Sequence, residues 1–155
     1  MIKIYTGRVH TGKTTALRKW CKERKDVGGF LTPDIEGLRM FQDIKSNEIL
    51  SFQLNNTEPG QTIEVGTYIF KKSIFQYGNE IIEDQIQKSS IDYIIIDEFG
   101  KLEMKGEGFS KAASLISANY MKKNFIIVVR DFLVHSVAQK YNFPSYTVVE
   151  NVKEL

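Results

Sequence analysis

The sequence is poor in cysteine, in proline and in long apolar runs. Its single cysteine, Cys21, cannot form an internal disulfide, so the 155 residues must be held together by a hydrophobic core. The longest apolar runs, residues 93–96 and 125–129, are far shorter than the roughly 20 residues that cross a bilayer. With no signal-peptide pattern at the start, we expect one domain over residues 1–155, in a reducing cytoplasm and without a membrane partner.

A strong net charge is also missing. The formal charge of +2 is too small to indicate a nucleic-acid partner. The one basic run, residues 18–25, falls near the end of a predicted helix, where cations complement the helix dipole. We therefore interpret this run as a solvated helix face rather than an RNA-binding surface, and expect no nucleic-acid partner.

Short apolar segments alternate with amphipathic ones along most of the chain. Strands are predicted near residues 1–6, 30–34, 90–98, 124–129 and 145–150, and helices near 11–25, 71–90, 108–122 and 131–141. The apolar run that ends at Asp97 is typical of a central parallel strand covered on both faces. The alternation predicts an α/β three-layer sandwich with a mostly parallel central sheet.

Residues 36–66 interrupt this alternation. Two β-like segments flank Ser46-Asn47, a plausible tight turn, and a further short strand is predicted around residues 62–70. We interpret the interruption as a small β-hairpin insertion within the single domain.

The most informative motif follows the first strand. Residues 7–14 read GRVHTGKT and match G-x-x-x-x-G-K-[ST], the loop whose backbone N–H groups surround phosphates at a helix N-terminus. Lys13 is expected to reach the β- and γ-phosphates, and the Thr14 hydroxyl to bind Mg²⁺. His10 is expected to be a spacer rather than a catalyst. The predicted nucleotide-binding residues are Gly7, Arg8, Val9, His10, Thr11, Gly12, Lys13, Thr14 and Thr15.

A phosphate loop needs an acid on the metal side. Asp97 stands at the end of the predicted central strand, which is expected to carry its carboxylate towards the loop and Mg²⁺. Glu98 follows and projects in another direction, because side chains alternate along a strand. We predict that Glu98 orients water for attack on the γ-phosphate. The alternative is that both acids only terminate the strand.

Three segments together resemble the thermophile-type, or cancer-related, nucleoside-triphosphatase family. They are GRVHTGKTT at residues 7–15, GGFLTPDIEGLRMF at 28–41 and IIIDEFGKLEMKGEGF at 94–109. The resemblance implies a P-loop fold, slow hydrolysis of several nucleoside triphosphates, phosphate and metal binding by the loop, Mg²⁺ at Asp97 and a base at Glu98. One departure is visible, since only Arg39 remains of the arginine pair that such proteins usually carry after the Gly-Phe-x-Thr segment.

Besides a triphosphatase, two other functions fit a phosphate loop: an ATP-dependent kinase for a small molecule or nucleoside, and a nucleotide-dependent switch or assembly factor. The chain has five arginines, and only Arg39 and Arg130 lie beyond the loop and its helix. This scarcity disfavours a nucleotide-monophosphate kinase with an arginine-rich lid, though not a kinase for an uncharged acceptor. The strand at 124–129 is not followed by N/T-K-x-D, which disfavours a guanine-specific switch. The base preference stays open.

Arg130 directly follows the apolar strand at residues 124–129. Ligands of open α/β sheets bind at the carboxyl ends of strands, so its guanidinium is placed to neutralise charge on the γ-phosphate. The alternative is a surface ion pair with Asp131 or a helix acid, and Arg39 is the other arginine able to complete the site. We predict a catalytic role for Arg130 beside Glu98 and Lys13.

Overall fold

The computed structural model describes residues 1–7 and 12–155, which form strands β1–β11 and helices α1–α5. The strands are β1 Ile2–Tyr5, β2 Val27–Leu31, β3 Asp34–Ile35, β4 Leu38–Asp43, β5 Ile49–Ser51, β6 Gln53–Leu54, β7 Thr62–Val65, β8 Tyr68–Lys71, β9 Tyr93–Phe99, β10 Asn124–Val129 and β11 Thr147–Val149. The helices are α1 Lys13–Lys22, α2 Lys72–Ile86, α3 Lys101–Met104, α4 Ser110–Asn119 and α5 Val134–Lys140, with 3₁₀ turns at Asp131–Leu133 and Val152–Glu154.

The main sheet is mostly parallel, as predicted. Its strand order is β11-β1-β10-β9-β2-β4-β3, with β5 paired to β4. The five strands from β11 to β2 pair in parallel, whereas β4 pairs antiparallel with β2, β3 and β5. Strand β9 lies in the middle with parallel neighbours on both sides, which explains its uninterrupted apolar sequence.

Helices cover both faces of this sheet. Alternate residues of β9 point to opposite faces, so Ile94 and Ile96 pack in one core with α2, α4 and α5, while Ile95 packs in a second core with α1. The two cores make three layers and confirm the predicted α/β sandwich. The helical stripe predicted for α2 is entirely buried and consists of Ile74, Phe75, Ile81, Ile82 and Ile86. Within the described ranges, no helix combines the length and apolar character needed to cross a membrane.

Antiparallel strands occupy residues 34–71, a longer stretch than the predicted insertion at 36–66. The hairpin predicted around Ser46-Asn47 is present as β4 and β5. The single strand predicted around residues 62–70 is wrong, because β7 and β8 form a second hairpin and pair with β6 in a separate three-stranded sheet. The turn between them is Gly66-Thr67, and only Gly66 has a positive φ, 62°, as a type II′ turn requires.

The parallel strands determine where functional residues meet. The carboxyl ends of β1, β2, β9 and β10 lie along one edge of the sheet because the strands run in the same direction. This edge brings together the start of the phosphate-loop motif after β1, Thr32 after β2, Asp97 and Glu98 near the end of β9, and Arg130 after β10.

Candidate phosphate and metal site

The phosphate-loop motif joins β1 to α1. Gly7 and Gly12 have φ angles of 139° and 77°, values that glycine adopts at little cost. Helix α1 begins at Lys13, and its first turn, residues 13–16, is fully described and contains no acid. The N-terminal end of α1 therefore favours an anion. The other predicted loop residues, Arg8, Val9, His10 and Thr11, lie outside the described residues.

Lys13 lies close to the start of the motif. Its Nζ donates a hydrogen bond to the Gly7 carbonyl oxygen at 3.1 Å, across the six positions that separate the two residues. Thr14 is partly buried, whereas Thr15 is exposed in the first turn of α1. The ammonium group of Lys13 thus lies beside Gly7, the first glycine of the motif that predicts phosphate binding.

Asp97 connects the loop helix to the centre of the sheet. The Thr14 hydroxyl donates to Asp97 Oδ2 at 2.8 Å, and the Thr32 N–H donates to the same oxygen at 3.0 Å. Asp97 is 1 % exposed, and this burial raises the pKa of its carboxyl group, an effect that the two hydrogen bonds oppose. The sequence-predicted pair of Thr14 and Asp97 is therefore brought together in the structure.

Glu98 lies at an irregularity of β9. The register between β9 and β10 pairs Asp97 with Val128 and Phe99 with Val129, so Glu98 is an extra residue in its strand. Its φ of 146° lies in a region that L-residues rarely adopt. Such conformations cost about 1–3 kcal/mol and occur often at functional sites. The bulge turns the Glu98 carboxylate out of the regular alternation of the strand.

Two arginines from distant parts of the chain contact Glu98. Arg39 Nη1 on β4 donates to Oε2 at 2.5 Å, and Arg130 Nη2 donates to Oε1 at 3.3 Å. The three side chains are between 29 % and 41 % exposed, so each ion pair contributes only about 0–1 kcal/mol to stability. Arg130, for which the sequence predicts a catalytic role, and Arg39, the other arginine considered, therefore both contact Glu98. The contact of Arg39 is the shorter of the two.

Glu103 is a buried acid to which the sequence reasoning gave no separate role. Its two carboxylate oxygens accept hydrogen bonds from the N–H groups of Gly100 and Phe109, each at 2.8 Å. Burial raises the pKa of the Glu103 carboxyl group, while these N–H donors oppose the shift. Glu103 thereby braces the segment that follows Glu98. The one sequence signal for Glu103 is its place in residues 94–109, a segment that carries the family resemblance.

A cavity of about 390 Å³ opens beside the two acids. Its polar end is formed by Asp97, Glu98 and the arginines that contact Glu98. The rest of the lining is mostly apolar, with Gln53, Lys101 and Glu103 among its few polar members, and comes largely from the small sheet of β6–β8, from α2 and from the segments after β9 and β10. The aromatic side chains that line it are Phe52, Tyr68, Phe70, Phe75, Phe109 and Phe132.

Comparison with known proteins assigns the chain to a family. A family model described as NTPase matches residues 3–154. The chain belongs to this NTPase family. It is similar to nucleoside-triphosphatase THEP1 of Thermotoga sp. (strain RQ2), with 30 % identity over 116 residues, and to that of Thermotoga maritima, with 29 % over 119 residues. Both alignments cover 73 % of this chain and 66 % of the relative, just under two thirds of the relatives' length.

Two solved structures share the fold of this NTPase-family chain. The crystal structure of THEP1 from the hyperthermophile Aquifex aeolicus has a TM-score of 0.77 at 23 % identity, over 97 % of this chain and 89 % of that one. The solution structure of a human cancer-related nucleoside triphosphatase has a TM-score of 0.68 at 19 % identity, over 99 % and 89 %. The family resemblance seen in the sequence is confirmed, and so is the fold.

The candidate site contains side-chain oxygens of the kind that Mg²⁺ prefers. The Thr14 hydroxyl and the Asp97 carboxylate are hard oxygen donors in hydrogen-bond contact, so one cation could bind both. A divalent cation there would also offset the burial that disfavours the charged form of Asp97. Among the described residues, no cluster of three or more His, Cys, Asp or Glu side chains forms an all-protein metal site. The arrangement suits a cation shared with substrate phosphates.

Proposed function

We propose that this chain hydrolyses nucleoside triphosphates to diphosphates and phosphate with the help of Mg²⁺. The observation that carries the proposal is the contact of Thr14 with Asp97, adjacent to a Glu98 carboxylate that two arginines hold. The family match and the names of the relatives support the same activity.

Binding would use the start of α1. The N–H groups at the helix N-terminus and the Lys13 ammonium bind the β- and γ-phosphate oxygens. Thr14 and Asp97 hold the cation. When bound, Mg²⁺ neutralises charge on those same phosphate oxygens.

Glu98 would then direct the attacking water. Its carboxylate accepts a hydrogen bond from the water and takes the proton as the water oxygen bonds to the γ-phosphorus. The bond between that phosphorus and the β,γ-bridging oxygen breaks, and the diphosphate leaves. Arg39 and Arg130 contact the Glu98 carboxylate and can neutralise negative charge that develops on the transferred phosphoryl group.

Phosphate release from ATP, GTP, CTP and UTP, with Mg²⁺ or with EDTA, tests the proposal. We expect release with Mg²⁺ from more than one triphosphate, because the described site shows no base-recognition motif, and loss of release with EDTA. Equal release in EDTA, or none from any triphosphate, would contradict the proposal. A cytoplasmic location and the lack of nucleic-acid and membrane partners stay predictions from composition.

A further inference from the structure

The cavity beside Glu98 is larger and more apolar than hydrolysis requires. Water is the only second reactant of a triphosphatase, yet the apolar part of the cavity extends well beyond the two acids. Its wall is a continuous aromatic cluster, in which the ring centroids of Phe52 and Phe70 are 4.7 Å apart and those of Phe75 and Phe109 are 4.8 Å apart. A volume of about 390 Å³ lies within the range of small-molecule sites.

Two aromatic residues of the lining are exposed to solvent. Tyr68 on β8 is 52 % exposed, and Phe132 in the 3₁₀ turn after β10 is 65 % exposed. Core packing does not account for rings that keep more than half of their surface in water. Both line the same cavity, from two segments that are distant in sequence. Exposed rings at such a place can stack on a planar ligand.

The position of the cavity relative to the loop indicates what such a ligand would do. Asp97 and Glu98 both line the cavity, but Asp97 accepts a hydrogen bond from Thr14 of α1, whereas Glu98 contacts two arginines that line the cavity as well. Glu98 therefore lies between the predicted γ-phosphate and the apolar space. A hydroxyl group bound at the polar end of the cavity would contact the Glu98 carboxylate, the same group that we propose directs the attacking water.

We propose that the cavity binds a small uncharged alcohol with a planar aromatic body, which accepts the γ-phosphoryl group. The inference rests on the proposed function, because it uses the same Glu98 and the same bound triphosphate. The hydroxyl oxygen bonds to the γ-phosphorus and its proton passes to the Glu98 carboxylate. The bond to the β,γ-bridging oxygen breaks with its electron pair remaining on the diphosphate, and a phosphate monoester forms.

The charges at the cavity favour an uncharged acceptor over a phosphorylated one. Arg39 and Arg130 are both paired with Glu98, so binding a second phosphate would require them to give up these contacts. Lys101 also lines the cavity, but this residue is exposed to solvent. No cluster of arginines within the described ranges resembles the phosphate clamp that a second anionic substrate needs.

The test uses benzyl alcohol and uridine as probes, with glycerol as a hydroxyl compound that has no ring. Saturation-transfer NMR reports binding, and ³¹P NMR with MgATP reports phosphate and phosphate monoester separately. Phe132→Ala is the main variant, because a residue so exposed can be truncated without unfolding the chain. Met121→Ala is its matched control, since Met121 is 81 % exposed and does not line the cavity.

We expect both ring-bearing probes to bind and to yield monoester, and glycerol to do neither. Phe132→Ala should weaken probe binding by about fivefold or more, the usual effect of removing one stacking ring, while Met121→Ala leaves it unchanged. Absence of binding by both probes, unchanged binding in Phe132→Ala, or bound probe without monoester would each overturn the inference.

A non-hydrolysable ATP analogue separates the acceptor from the nucleotide's own base. Displacement of the probes by the β,γ-imido analogue would show that the base occupies the cavity and would overturn the inference, whereas simultaneous binding supports it. Phosphate release without monoester leaves the proposed hydrolysis intact. Lack of phosphate release from all four triphosphates with Mg²⁺, in the absence of a probe, would instead overturn the proposed function, independently of the binding result.

Discussion

Replacement of Glu98 by glutamine tests the centre of the proposed mechanism. The amide keeps the size and shape of the side chain but cannot take a proton from water. Nucleotide binding should persist, because the loop, Lys13 and Asp97 are unchanged. Binding should even tighten slightly, since Arg39 and Arg130 lose a competing negative charge and can face the triphosphate.

The expected magnitudes differ strongly between catalysis and stability. General-base catalysis contributes roughly 10²–10⁴ in rate, so kcat should fall by at least about 10²-fold, or about 2.7 kcal/mol in barrier height. The two ion pairs of Glu98 are partly exposed and contribute together at most about 2 kcal/mol to folding. For a chain of 155 residues the melting temperature should therefore drop by no more than about 8 °C.

Three measurements on the same samples decide the outcome: phosphate release for kcat, titration with a non-hydrolysable triphosphate for Kd, and thermal unfolding for Tm. Glu107→Gln serves as the matched control, because Glu107 is an exposed acid in the segment after α3 and does not line the cavity. A kcat in Glu98→Gln within tenfold of the wild-type value would refute the assignment of Glu98 as the base. A lost affinity for the triphosphate would show that Glu98 supports binding rather than chemistry.

The remaining predictions concern the groups around Glu98. Lys13→Ala should abolish Mg²⁺-dependent phosphate release, and retention of most activity in that assay would remove the loop lysine from the mechanism. Arg130→Ala and Arg39→Ala should each lower kcat by roughly tenfold or more in steady-state kinetics. The change in Tm should be only a few degrees, because the ion pairs of both arginines with Glu98 are partly exposed. An unchanged kcat would show that the arginine makes only a surface contact. Glu98→Gly should be more stable to denaturant than Glu98→Ala by about 1 kcal/mol, since relief of the strain at φ 146° exceeds the entropy cost of glycine, and the reverse order would contradict the strain. Glu103→Gln should destabilise the fold by about 1–3 kcal/mol in denaturant titrations, because one amide oxygen cannot serve two backbone N–H donors; wild-type stability would show that these hydrogen bonds are dispensable.

Much of the parallel sheet could be predicted because its signals are local. A buried parallel strand is a short continuous apolar run, and a covering helix repeats its apolar residues every three to four positions. Both patterns are complete within β9 and α2, and both elements lie where the sequence placed them. The hairpin of β7 and β8 was missed because its turn is only two residues long, so the apolar pattern runs through Gly66-Thr67 without a break.

The sequence by itself determined the phosphate-loop motif, the alternation of the parallel strands with the longer helices, and the presence of two acids at the end of the central strand. Each of these depends on residues that are neighbours in the chain. Only the tertiary structure decided which groups surround Glu98, because Arg39 and Arg130 are 59 and 32 residues away from it. The tertiary structure also decided the bulge at Glu98, because the bulge depends on the register between β9 and β10. It decided the cavity as well, because the cavity forms where the antiparallel insertion packs beside the end of the parallel sheet. Long-range packing of this kind leaves no periodic signal in a single sequence.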